Sequence, residues 1–290
     1  MTIRFDGKVA IVTGGGNGLG RQHCLQLAAR GAKVVVNDLG GSVDGLGGEA
    51  IGNGADITKL DQVEAMVADA KSKWGRVDIL VNNAGILRDK SFSKMTMGDF
   101  AKVVDVHLFG TANCTKAVWE TMREQNYGRI VLTSSASGIY GNFGQSNYGA
   151  AKAAMIGLMN VLSIEGAKNN IRVNTLAPTA ATRMLEGLIP EQVASLMQPE
   201  LVTPGVLFLV SENAPNKTIL GAGAGCFSVV HIYETPAVFL GGATATVDDV
   251  AANWARISDP TNEQPLDAAF AQTNKFVAAA AVALGVKVGG

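Results

Sequence analysis

Short β-branched runs recur along the chain, and segments with apolar residues at helical spacing lie between most of them. Residues 8–13, 33–37, 77–81, 128–134 and 171–176 read as strands buried on both faces. Leu60, Val63, Met66, Val67 and Ala70 mark a helix over 59–74. Residues 21–30 form another, stopped by Gly31, and 100–123 and 146–168 form two longer ones. A short helix at 204–211 and a final strand at 225–230 follow. Strands alternating with helices predict an α/β fold: a doubly wound parallel sheet covered on both faces. That domain spans 1–230, with a lid over about 178–200 interrupted by Pro190 and Pro199. Residues 231–290 form a C-terminal extension, with a helix at 247–257 and an alanine-rich tail.

One connection breaks the pattern. Residues 39–54 are rich in glycine and show no helical spacing, although a strand near 49–51 is expected. A parallel crossover needs a dozen residues or more, usually a helix. The connection is short, as though part of it were deleted or lay outside the given chain.

Composition narrows the function classes. With 47% hydrophobic residues and a net charge of −1, the chain has ample core and no basic surface for nucleic acid or an anionic membrane. Cys24, Cys114 and Cys226 lie far apart without metal or disulfide spacing. No apolar run reaches the ~20 residues that span a bilayer. A cytoplasmic enzyme acting on a small molecule, with no metal, is expected.

The chemistry lies in two stretches. The strand at 8–13 runs into Gly14-Gly15-Gly16-Asn17-Gly18-Leu19-Gly20 and then a helix, and Asp38 closes the second strand. This order predicts a Rossmann-type dinucleotide site, with the pyrophosphate at the helix N-terminus. Asp38 can accept from ribose hydroxyls and repels a 2′-phosphate, so NAD is expected over NADP. The second stretch leaves the strand at 128–134 and enters a helix carrying Tyr148 and Lys152. Four residues apart, they share one helix face, and an adjacent cation lowers a phenol's pKa. Ser134 and Ser135 both stand at the strand end, and only one can face Tyr148. His107 reads equally as a relay member or a satisfied core histidine. His231, after the last strand, could border a substrate or subunit surface.

Together Gly14, Gly18, Leu19 and Gly20, the run Asn82-Asn83-Ala84-Gly85, Ser135 thirteen residues before Tyr148, and Lys152 resemble the short-chain dehydrogenase/reductase family. The resemblance covers about residues 5–230. Asn37 to Gly41, Asn83 to Asp89 and Ser134 to Gln145 look more closely like the (3R)-hydroxyacyl-CoA dehydrogenase domains of peroxisomal multifunctional enzymes. It implies Tyr148 as general acid/base, Ser135 as orienter of the substrate oxygen, and Lys152 as a bond to the nicotinamide ribose. It implies that Asn83 and Gly85 line the cofactor and that Asp56 and Ile57 meet the adenine. His107 stands where the wider family has asparagine, and the subgroup resembles this sequence in having histidine. Thr182 would bind the carboxamide, one position early, with Arg183 at the usual place. The implied activity is NAD-linked interconversion of a secondary alcohol and a ketone, with a (3R)-hydroxyacyl-CoA as substrate. A hydroxysteroid or other hydrophobic alcohol is the alternative substrate, and a non-catalytic NAD-binding scaffold is the alternative of another class. The family's habit of pairing long helices implies a homodimer or homotetramer through 100–123 and 146–168.

Overall fold

The apolar runs fold into the centre of an eight-stranded sheet in a computed structural model that describes residues 2–40, 45–180 and 190–287. The described chain divides into two compact units, Met1–Val230 and His231–Gly290. In the first, β1 (Val9–Thr13) is followed by α1 (Gly18–Ala29), β2 (Lys33–Asn37), β3 (Ala50–Asn53), α2 (Leu60–Trp74) and β4 (Ile79–Asn82). Then come α3 (Met97–Val104), α4 (Gly110–Gln125), β5 (Gly128–Thr133), α5 (Ala136–Tyr140) and α6 (Ser146–Gly166). The unit ends with β6 (Ile171–Thr179), α7 (Glu191–Leu196), α8 (Thr203–Leu209), β7 (Ile219–Gly223) and β8 (Cys226–Val230).

The strand order is β3-β2-β1-β4-β5-β6-β7-β8, and the pairs from β3 to β7 are parallel. Alternation along β1 shows how both faces are covered. Ala10 and Val12 pack with Cys24 and Leu27 of α1 and Val206 of α8. Val9 and Ile11 pack with Met66 of α2, Val118 of α4 and Met155 of α6. The order reverses between β1 and β4, so their C-terminal ends part and open a crevice. The doubly wound sheet expected from the sequence is therefore present.

Four details differ from the expectation. The final strand runs antiparallel to β7, a strand the apolar pattern did not announce. A two-residue loop, Ala224-Gly225, joins them with both residues at positive φ, the geometry that suits a tight hairpin. Next, β3 pairs with β2 over Ala50–Asn53 rather than 49–51, and the described residues between the two strands carry no helix. The expected helix 100–123 is present but not uniform: α3 runs into α4 through a wider π-type turn, Asp105–Phe109, that contains His107. Last, the helix expected at 247–257 is two helices, α9 (Val247–Ala252) and α10 (Trp254–Ile257).

Those helices belong to the second unit. There β9 (Tyr233–Glu234) pairs with β10 (Gln264–Pro265), and α11 (Ala269–Leu284) forms from the alanine-rich tail. Lys275 Nζ donates to Glu234 Oε1 at 2.6 Å, tying α11 to β9. Among the described residues no helix is long and apolar enough to cross a membrane.

Candidate active site

The crevice begins at the glycine loop. Gly14 and Gly18 hold positive φ angles of 63° and 52°, which turn the chain from β1 into α1. Asn83 pins that turn. Its Nδ2 donates to the carbonyls of Thr13 and Gly14 at 3.0 and 3.1 Å, and its own N–H donates to Thr13 Oγ1 at 3.0 Å. The first turn of α1 holds no acidic residue and no side-chain cap, which leaves its N–H groups for an anion. Asp38, at the end of β2, accepts from Gly16 N and Gly40 N, both at 3.1 Å.

Two neighbouring cavities, of about 310 and 320 Å³, share Gly14, Asp38, Ala84 and Gly85. Gly18, Leu19, Asn83, His107, Tyr148 and Lys152 line the first, and Asp56 and Ile57 line the second. Thr58 holds Asp56 through its N–H and hydroxyl, which lowers the Asp56 pKa. Gly20 departs from the expected cofactor contact. It lies behind the loop, where a Cβ would overlap the Gly14 carbonyl, so its task is close packing. Thr182, Arg183 and the rest of 181–189 fall outside the described residues, while the later part of the expected lid carries α7.

At the other end of the crevice, adjacent serines part ways. Ser134 is buried and its Oγ donates to the Lys152 carbonyl at 2.8 Å. Ser135 caps α5, accepting from Ser137 N at 3.2 Å, and shares a hydrogen bond with Tyr148. Ser135 is thus the serine that faces the phenol.

The electrostatics differ from the simple expectation. Lys152 Nζ does lie on the same side as Tyr148, 5.6 Å from its ring centre, but it donates to Thr133 O at 2.6 Å. Burial pushes its ammonium down to about 7, so near neutrality it carries only part of a charge. Burial also pushes the Tyr148 phenol above its ordinary value. The bond with Ser135 pulls it back and the Asp89 charge pushes it up again, with no lowering by Lys152. The influences that set the Tyr148 phenol here are thus burial, Ser135 and Asp89.

His107 meets Tyr148 edge to face, with ring centres 5.2 Å apart. Its Nε2 lies 2.8 Å from Ile86 O and 3.1 Å from Ile86 N, and its buried Nδ1 has no partner. Burial, with help from Lys152, lowers its pKa to about 3, so the ring is neutral at working pH. Gly85 exists here because a Cβ would overlap His107 Cε1. The free Nδ1, the side-chain-free cradle of Gly14 and Gly85, and the carboxylate of Asp38 fit a nicotinamide dinucleotide.

A supporting network escaped the sequence reading. Asp89 Oδ2 accepts from Gln145 Nε2 at 2.6 Å, and Gln145 Oε1 accepts from Ser137 Oγ at 2.6 Å. Buried Asn147 donates to Arg88 O at 3.0 Å and accepts from Tyr148 N at 2.7 Å. These bonds join the segment after β4 to the loop that precedes Tyr148. The cue was a cluster of amides just before the tyrosine. Because the Asp89 charge raises the Tyr148 pKa, its removal should lower it. Alcohol oxidation needs the phenolate, so Asp89→Asn should move the acid limb of the kcat profile to lower pH. A pH–rate profile checks this, and an unmoved or raised limb would refute it.

Known proteins place this geometry. The short chain dehydrogenase family profile matches residues 8–192. The mouse peroxisomal multifunctional enzyme type 2 is 45% identical over 277 residues, covering 90% of this chain and 38% of that protein. The solved structure of the full-length Drosophila melanogaster enzyme of that name superposes with a TM-score of 0.84 at 38% identity, covering 97% of this chain and 51% of the other. The chain thus spans about half or less of these animal relatives. A 7α-hydroxysteroid dehydrogenase, solved with NADH and 7-oxo glycochenodeoxycholic acid, superposes at 0.70 with 32% identity, covering 77% of this chain and 95% of the other. The chain belongs to the short-chain dehydrogenase family of oxidoreductases.

Proposed function

We propose that this chain interconverts a secondary alcohol and a ketone with NAD, and that its substrate is a (3R)-hydroxyacyl-CoA. The observation that carries the reaction is Tyr148, bonded to Ser135, lining with Lys152 a crevice that also holds Asp38. The substrate rests on the kinship with enzymes named as peroxisomal multifunctional enzyme type 2.

Gly14, Gly18 and Leu19 would hold the pyrophosphate, Asp38 the adenosine ribose hydroxyls, and Asp56 with Ile57 the adenine edge. Gly85 would leave room for the nicotinamide, and Lys152 would bond the second ribose. Bound NAD supplies the hydride acceptor and, when oxidised, a positive charge. Ser135 donates to the substrate oxygen and fixes its distance from Tyr148. Tyr148 takes the hydroxyl proton as general base. Neutral His107 holds the ring of Tyr148 from its edge and bonds the segment at Ile86 that borders the crevice.

The test is NADH formation from (3R)-hydroxyacyl-CoA, with NADP and the (3S) isomer as controls. Turnover with NAD, at least about tenfold above NADP given the repulsion at Asp38, is expected. Turnover of a steroid alcohol without any of the thioester would favour the second reading, which the hydroxysteroid dehydrogenase likeness supports. Exposed Phe109 beside α4 and Val161 and Ile164 on α6 support a homodimer or homotetramer through those helices. The cytoplasmic location expected from the sequence stands beside peroxisomal names among the relatives, and either compartment suits the same chemistry.

A further inference from the structure

A third cavity, of about 420 Å³, lies between α5, the helix that Ser135 caps, and the far edge of the sheet. Its floor is built from two rows of paired residues. Ala177, Gly221 and Ser228 stand side by side across β6, β7 and β8, and Thr179, Gly223 and Cys226 form the next row. Residues two apart on a strand face the same way, so both rows present small groups to one side.

The two central glycines are not required by the backbone. Neither Gly221 nor Gly223 has a positive φ. A Cβ at Gly221 would press on Ser228 Oγ, and one at Gly223 on Thr179. Glycine inside a strand gives up packing and order, and it marks places where another group comes close. Nearer the sheet centre the strands carry Ile130, Leu132 and Val173, which fill the space under their helices. Under α5 the floor is shallow instead, and Ile139 and Tyr140 form its roof.

From these observations we infer that this trough receives the apolar chain of the substrate, on the far side of the carbinol from the thioester. Continuity names the occupant. Ala136 lines the trough and directly follows Ser135, which bonds Tyr148. A substrate whose oxygen sits at that serine has its chain at the mouth of an apolar space. The inference rests on the hydroxyacyl reading above and adds where specificity for chain length arises.

The experiment is kcat/KM for 3-hydroxyacyl-CoA substrates from four to sixteen carbons, in the wild type and in Ser228→Phe and Cys226→Phe. Both replaced residues are solvent-exposed strand positions, and neither lines the crevice that holds Tyr148 and Lys152. In the wild type, kcat/KM should rise with chain length by up to about fourfold per methylene until the trough is full. In the variants the twelve-carbon substrate should lose tenfold or more while the four-carbon substrate keeps its rate, which also shows the variants fold. Equal losses for both lengths, or no loss for either, would overturn the trough. If the wild type turns over no thioester, the hydroxyacyl reading fails, and titration calorimetry with dodecanoic acid decides the trough alone. Tighter binding to the wild type than to Ser228→Phe supports it, and equal or absent binding rejects it.

Discussion

Tyr148→Phe should lower kcat by two to four orders of magnitude while leaving NADH affinity within about threefold of the wild type. The first figure is the usual contribution of a positioned acid or base. The second follows from what the ring does besides proton transfer. It packs edge-on against His107 and lines the cavity with Lys152, and phenylalanine keeps both contacts. Only the oxygen that bonds Ser135 is lost. Single-turnover assays beside fluorescence titration of NADH separate chemistry from binding. A variant with more than a tenth of wild-type kcat would remove Tyr148 from its role. A variant with normal chemistry but no NADH binding would make it a cofactor contact only.

Gly20→Ala should weaken NAD binding by about tenfold to a hundredfold and destabilise the fold by roughly 1–3 kcal/mol, the usual cost of overpacking. The added methyl meets the Gly14 carbonyl and Asn83 Nδ2, one backbone and one pinned side chain. Neither can rotate away. The loop must shift outward, and the bonds from Asn83 to the Thr13 and Gly14 carbonyls lengthen with it. Gly98→Ala is the matched control, because a Cβ there on α3 meets only Thr96 Oγ1, at 3.9 Å. Alanine there should stabilise by about 0.5–1 kcal/mol through helix propensity. Chemical denaturation and NAD titration of both variants check the pair. Equal behaviour of the two would show that the glycine loop is not under steric control.

The sheet was legible because its parallel strands are buried on both faces and so read as unbroken apolar runs. The dinucleotide loop and the Ser135, Tyr148, Lys152 set were legible because local spacing fixes them. What escaped depends on burial and on contacts between distant segments. The ammonium of Lys152 was expected to act on Tyr148, but burial lowers its own pKa as well, and no spacing rule reports desolvation. Asp89 and Gln145 lie 56 positions apart, so their bond has no local trace. The strand β7 hid behind its own glycines, and with it the antiparallel edge. Apolar residues from Val103 to Met122 read as one continuous helix because a single wide turn barely disturbs their average period.

That wide turn at Asp105–Phe109 also fixes how chain length can vary here. One residue in an α-helix is about 100° of rotation and 1.5 Å of rise. Deleting a residue from the turn would let the hydrogen bonds close as an ordinary α-helix, with α3 swung by about that angle relative to α4. His107 would leave the edge of Tyr148 even though no side chain had been altered. Relatives that share this site are therefore expected to keep the same residue count between β4 and β5, and to take their insertions elsewhere.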